Sequence, residues 1–215
     1  VELIPLISSL YKKDFSYFIN DIELIEKTTQ TITDDIICCF LDNEDIGKNL
    51  LKKILASSKK NLSVVLIFRG KKMYENFKDL IELFKNRVVF ISKEYGTDII
   101  PTLQAINHMF DNYDNIKNIY KFHKKTNRKW FNECTDYLLN NEMNYNDSCN
   151  CVGHPNYYRN INKDVFCKTL IDKNKNKIDK EQFVMGTMFY TKMEVFTEIL
   201  TFMKTNYFQY FMNNC

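Results

Sequence analysis

Between Asp35 and His123 the chain alternates four short apolar runs with three stretches whose apolar residues recur at helical spacing. The runs are 36–41, 62–68, 88–92 and 119–122. The first is continuous rather than alternating, the mark of a strand buried on both faces, the second reads as another buried strand, and the last two as further strands. The stretches between them, 46–58, 73–85 and 101–110, each place three or four apolar side chains on one helical face. Pro101 falls near the start of the last, where its missing N–H costs nothing. Strand and helix alternating at this pitch require right-handed crossovers and a parallel sheet. The predicted class is therefore α/β, a mainly parallel, Rossmann-like sheet flanked by helices. It forms a single domain over 35–215, preceded by an N-terminal segment, 1–34. Apolar spacing over 3–11 and 15–25 predicts helix in that segment.

Beyond Trp130 the rhythm changes. A helix is predicted over 131–139, followed by a polar loop rich in Asn and Tyr over 140–162. A helix over 164–171, a charged turn over 172–180, a strand over 183–190 and an amphipathic helix over 193–210 complete the reading.

Composition bounds the function. With 45% hydrophobic and 14% aromatic residues in 215, the chain can bury a substantial core and is not a disordered segment. A net charge of +3 is too mild for a dedicated nucleic-acid binder. No run is long and apolar enough to span a bilayer, and no secretory signal is visible, although the chain begins at Val1 and further domains of a longer polypeptide are compatible with that. Seven cysteines, two of them adjacent in an apolar run (Cys38, Cys39), suit free thiols in a reducing, cytoplasmic compartment. Cys149, Cys151, His154 and Cys167 lack the paired spacing of a zinc module.

Ligands of open parallel sheets sit at the carboxyl ends of the strands. The residues to inspect are thus Asp42 and Asn43, Arg69, Lys93 to Asp98, and His123 to Asn127. No Gly-rich phosphate loop follows the first strand, which argues against a Walker or dinucleotide site. Three segments stand out. In 93–101, Gly96 permits a tight turn at a helix entrance whose unpaired N–H groups suit an anion. There Asp98 is either a plain cap or, with Lys93, faces a ligand. In 120–130, a strand ends in His123-Lys124-Lys125-Thr126, an imidazole and several cations where a diphosphate would sit, or else a solvated basic turn. In 183–190, Gly186-Thr187 within an apolar strand marks either close approach of a ligand or simple packing.

The segments Tyr95-Gly96-Thr97-Asp98-Ile99-Ile100-Pro101, Ile119-Tyr120-Lys121-Phe122-His123-Lys124-Lys125-Thr126-Asn127-Arg128-Lys129-Trp130 and Phe183-Val184-Met185-Gly186-Thr187-Met188-Phe189-Tyr190 resemble, in that order, the rhamnan synthesis protein F family. The resemblance is specific in these segments and weak elsewhere, over about 35–196. Thr97 and Ile100 stand where that family usually has Arg and Gly, and Phe131 where Arg usually follows the Trp. The resemblance implies a GT-A-like glycosyltransferase, of the kind found in bacteria and large DNA viruses, where a viral enzyme would work in the host cytoplasm. It would move a sugar, with L-rhamnose as the leading candidate, from a nucleoside-diphosphate sugar to a glycan hydroxyl. It implies Asp98 and His123 as catalytic residues, with His154 and Glu194 as further candidate bases. Asp42, Asn43, Arg69, Lys93, Gly96, Lys124, Lys125, Thr126, Gly186 and Thr187 would hold the nucleotide sugar. Ordinary GT-A enzymes bind a divalent metal through Asp-x-Asp at the end of the fourth strand. Here that slot holds His123-Lys124-Lys125, so the expectation is that no metal is required, because ammonium groups replace the cation rather than bind it. A non-catalytic carbohydrate- or partner-binding module on the same fold is the alternative.

Overall fold

The computed structural model describes residues 22–28, 31–93, 98–143, 151–160, 182–184 and 188–195. Its frame is β1 (Ile22–Lys27), β2 (Asp35–Leu41), α1 (Glu44–Ala56), β3 (Ser63–Arg69), α2 (Lys71–Glu75), α3 (Lys78–Ile81), β4 (Arg87–Ser92), α4 (Ile99–Asn112), β5 (Asn118–His123) and α5 (Arg128–Asn140). Then follow β6 (Cys151–Val152), a 3-10 turn, β7 (Tyr158–Asn160), β8 (Gln182–Val184) and β9 (Phe189–Lys192). The main sheet has seven strands in the order β1-β4-β3-β2-β5-β9-β6, and β7 pairs with β8 separately.

The four apolar runs become β2, β3, β4 and β5, and all their mutual pairings are parallel. Burial on both faces explains the lack of alternation. Ile37, Cys39 and Leu41 of β2 pack with Leu50, Leu51 and Ile54 of α1 and with Phe131 and Leu138 of α5. Ile36, Cys38 and Phe40 of the same strand pack on the other face with Leu103, Ile106 and Met109 of α4. At about 1.5–3 kcal/mol for each fully buried aliphatic side chain, these two layers dominate the stability of the sheet.

Five expectations need correction. The sheet is mixed, not mainly parallel throughout: β1, β9 and β6 each join it by antiparallel pairing. Residues 22–25 are strand rather than helix. An open edge of β4 offers backbone partners that outweigh local helical spacing, and β1 takes them, with Ile22 opposite Ser92 and Lys27 opposite Val88. The pairing is reinforced by Glu26, which meets Arg87. The single helix expected over 73–85 is instead α2 and α3, broken at Asn76 and Phe77. At the break the buried Phe77 ring lies 5.2 Å from that of Phe68. The strand expected over 183–190 is two strands, β8 and β9, in different sheets. Part of the loop expected over 140–162 is structured as β6, the 3-10 turn and β7.

The helices expected over 3–11 and 164–171, the turn over 172–180 and most of the helix over 193–210 lie outside the described residues. Among the described residues no helix is long and apolar enough to cross a membrane.

Candidate functional site

The parallel strands run in the order third, second, first, fourth, so β2 and β5 are neighbours although their connections diverge. Helix α1 leaves β2 for one face, and α4 delivers the chain to β5 across the other. This is a topological switch point, and in open α/β sheets ligands bind beyond the carboxyl ends of the strands at such a point. Leu41 of β2 pairs with Phe68 of β3, and Phe40 with His123 of β5. The polar residues that end these strands therefore come together at one edge.

Asp42 is the centre of the first group. Its Oδ2 accepts from Lys124 Nζ at 3.1 Å and lies 3.7 Å from Arg69 Nη1. The Arg69 guanidinium in turn sits over the Phe40 ring, 5.2 Å from its centroid. Gly70, at φ 78°, makes the turn that carries the chain from Arg69 into α2. The second oxygen of Asp42 is buried and accepts no hydrogen bond among the described residues.

Asp98 is the centre of the second group. It holds the cap position of α4, yet its carboxylate bonds to no N–H of that helix. Instead Lys121 donates to Asp98 Oδ2, and His123 Nδ1 lies 3.8 Å from the same oxygen. Thr102 Oγ1 donates to the Asp98 carbonyl at 2.6 Å, holding the start of the helix. The plain capping role is thus left to the backbone, and the side chain faces the strand.

Sequence reasoning missed Lys121. It is only 3% exposed, inside β5 on the α4 side, across from Cys38. The signal was available: a lysine flanked by Tyr120 and Phe122 within a strand of a parallel sheet requires a counter-charge once it is enclosed. The other cations spread out. Lys125 turns its ammonium over the Trp130 ring, 5.0 Å from the centroid. Burial lowers its pKa, the nearby Asp98 carboxylate opposes that, and Lys121 adds to the lowering. Lys93 and Thr126 are exposed at the ends of β4 and β5.

Two candidates have structural occupations. Asn43 Oδ1 accepts from Ile46 N at 3.0 Å and caps α1. Asn127 does the same for α5 through Trp130 N. Glu194 follows β9, whose last residue Lys192 pairs with Asn118 at the start of β5, the end of that strand opposite His123. His154 packs beside Tyr137 and Tyr157, with centroids 5.2 Å away in both cases. Tyr157 stacks on Trp130 of α5 at 5.0 Å, an aromatic clasp the sequence gave no reason to expect. Gly96, Gly186, Thr187, Cys149 and Cys167 lie outside the described residues.

The donors at the end of β5 do not fit a divalent cation. Lys124 and Lys125 supply ammonium groups, and the nearby carboxylates already hold Lys124, Arg69 and Lys121. Among the described residues no three His, Cys, Asp or Glu side chains gather as a metal site. Compared with other proteins, the sequence matches no family model and no curated protein.

Proposed function

We propose that the protein is a glycosyltransferase that takes a nucleoside-diphosphate sugar at the β2–β5 switch point and passes the sugar to a glycan hydroxyl. One observation carries this reading. Arg69, Lys121, Lys124 and Lys125 stand against two carboxylates, Asp42 and Asp98, so these six side chains together carry an excess of positive charge. Such an excess beside the carboxyl ends of parallel strands suits a diphosphate and offsets the charge that grows on it as it leaves. The strand order and the three motif segments support a GT-A-like enzyme of the rhamnan synthesis protein F type, with L-rhamnose as the leading donor sugar. Neither a nucleic acid nor a divalent cation is needed in this reading.

The decisive experiment is a thermal-shift screen of the whole chain against UDP-, dTDP- and GDP-sugars, since a ligand bound only by the folded state raises the melting temperature. A shift with one nucleotide class and release of that nucleoside diphosphate on adding glycan acceptors would establish the transferase. A shift without turnover would favour a non-catalytic binding module. That second reading draws support from Asn43 and Asp98, whose side chains are engaged by a helix cap and by Lys121. Absence of any shift would refute the transferase reading and favour a module that binds a carbohydrate or a partner instead.

A further inference from the structure

Helices α1 and α5 pack on the same face of the sheet, and their first turns border a cavity of about 210 Å³. It is lined by Asp45, Ile46 and Asn49 of α1 and by Arg128, Phe131 and Asn132 of α5. The two helices start directly after β2 and β5, so the cavity belongs to the same carboxyl edge as the Asp42–Lys124 pair. None of its lining residues is among the cations and carboxylates assigned above to the diphosphate.

The lining is polar without being cationic. Arg128 is balanced by Asp45, and the neighbouring Glu44 already holds Lys48 and Asn76. The helix starts are not open to an anion either, because Asn43 accepts from Ile46 N and Asn127 from Trp130 N. What remains is a set of partners for hydroxyl groups, which both donate and accept. Asp45 accepts, Arg128 donates through a planar fork, and the amides of Asn49 and Asn132 can do both. Among the described residues the side chains of Asp45, Asn49 and Arg128 make no hydrogen bond or ion pair. Asn132 Oδ1 accepts from Lys53 Nζ at 3.2 Å, which leaves its amide N–H groups to donate. Ile46 and Phe131 add apolar surface for the C–H face of a ring. The volume falls below the roughly 300–1,000 Å³ of sites for drug-sized ligands, so it suits one sugar ring rather than a nucleotide.

We propose that this cavity is a monosaccharide subsite, and that it seats the terminal sugar of the acceptor glycan beside the donor diphosphate. The acceptor role rests on the transferase reading above; the affinity for an uncharged sugar does not.

The test is saturation-transfer NMR of the full-length protein with a panel of methyl glycosides of hexoses, 6-deoxyhexoses, pentoses and N-acetylhexosamines. At least one glycoside should receive saturation from the wild type. Asn49→Ala and Arg128→Ala change exposed helix residues, so both should fold, and each should weaken that binding about tenfold through the hydrogen bonds it removes. A wild type that binds no glycoside of the panel, or variants that bind as well as the wild type, would overturn the subsite. A nucleotide sugar that displaces the glycoside would make the cavity part of the donor site and overturn the acceptor role. The thermal-shift screen separates this failure from that of the transferase reading. A protein unmoved by every nucleotide sugar defeats the transferase, while glycoside binding lost in Asn49→Ala and Arg128→Ala would still establish the subsite.

Discussion

Lys121 and Asp98 are 23 residues apart in the chain, and their side chains meet between the fourth parallel strand and the start of the helix that precedes it. Lys121 is almost wholly enclosed, while Asp98 keeps a fifth of its side chain exposed, at 19%. The asymmetry makes the two halves of the pair unequal in a mutational test. Asp98→Ala strands an ammonium in the interior and should cost about 3 kcal/mol. Lys121→Met leaves a carboxylate that water can reach and should stay within about 1 kcal/mol of wild type. Urea unfolding of the two variants checks the order. Equal losses would show that enclosure does not govern this pair.

Lys124 differs from Lys121 in being 35% exposed, just past the end of β5 beside Asp42. Its pair with Asp42 should contribute less than about 1 kcal/mol to stability, as partly exposed pairs do. The expected effect of Lys124→Ala is therefore on binding. The melting temperature without ligand should hardly move, while the shift produced by a nucleotide sugar should be lost or strongly reduced. A variant that retains the full shift would remove Lys124 from the diphosphate site.

The parallel frame was readable because a strand buried on both faces cannot hide its pattern. Ile36, Ile37, Cys38, Cys39, Phe40 and Leu41 are all inside, and no other element suits six such residues in a row. The carboxyl-edge candidates followed from topology alone, and Asp42, Arg69 and Lys124 did come together. What stayed hidden depends on partners distant in sequence. Residues 22–25 of β1 read as helix because their strand character comes from the β4 edge. Lys121 read as part of a surface charge run because its counter-charge lies on another element. The break at Phe77 was invisible because it reflects packing against Phe68 and Gly47 rather than any breaker in the sequence.

Gly47 gives that packing a direct test. It lies in the first half of α1, where alanine would ordinarily favour the helix by about 1 kcal/mol. Here a Cβ would stand 2.9 Å from Phe77 Cζ and 3.2 Å from Leu41 Cδ2. The Phe77 ring is buried and held against Phe68, so it has little room to yield. Overpacking should cost about 1–3 kcal/mol, more than the helix gains. Gly47→Ala is expected to lower the urea midpoint, and a raised midpoint would mean that Phe77 can move aside freely.

The buried thiols predict how the fold fails in alkali. Burial pushes the Cys38 thiol up to about 12 and the Cys134 thiol up to about 11, both from an ordinary 9.0, and Cys39 rises in the same direction. Lys121 lowers the Cys38 value in part, but desolvation wins. Each thiol therefore keeps its proton in the folded protein at a pH where the unfolded chain has lost it. Their contribution is intact below about pH 9 and is lost as pH rises from there toward the folded values. Within that window each group removes about 1.4 kcal/mol per pH unit. Unfolding measured in urea at pH 8 and pH 10.5 should show a steep loss of stability, and Cys38→Ala should make the loss shallower. The same thiols should resist alkylation at pH 8 in the folded state and react once urea unfolds the chain. Rapid native labelling of Cys38 would show that the interface between β2, β5 and α4 opens far more readily than its packing implies.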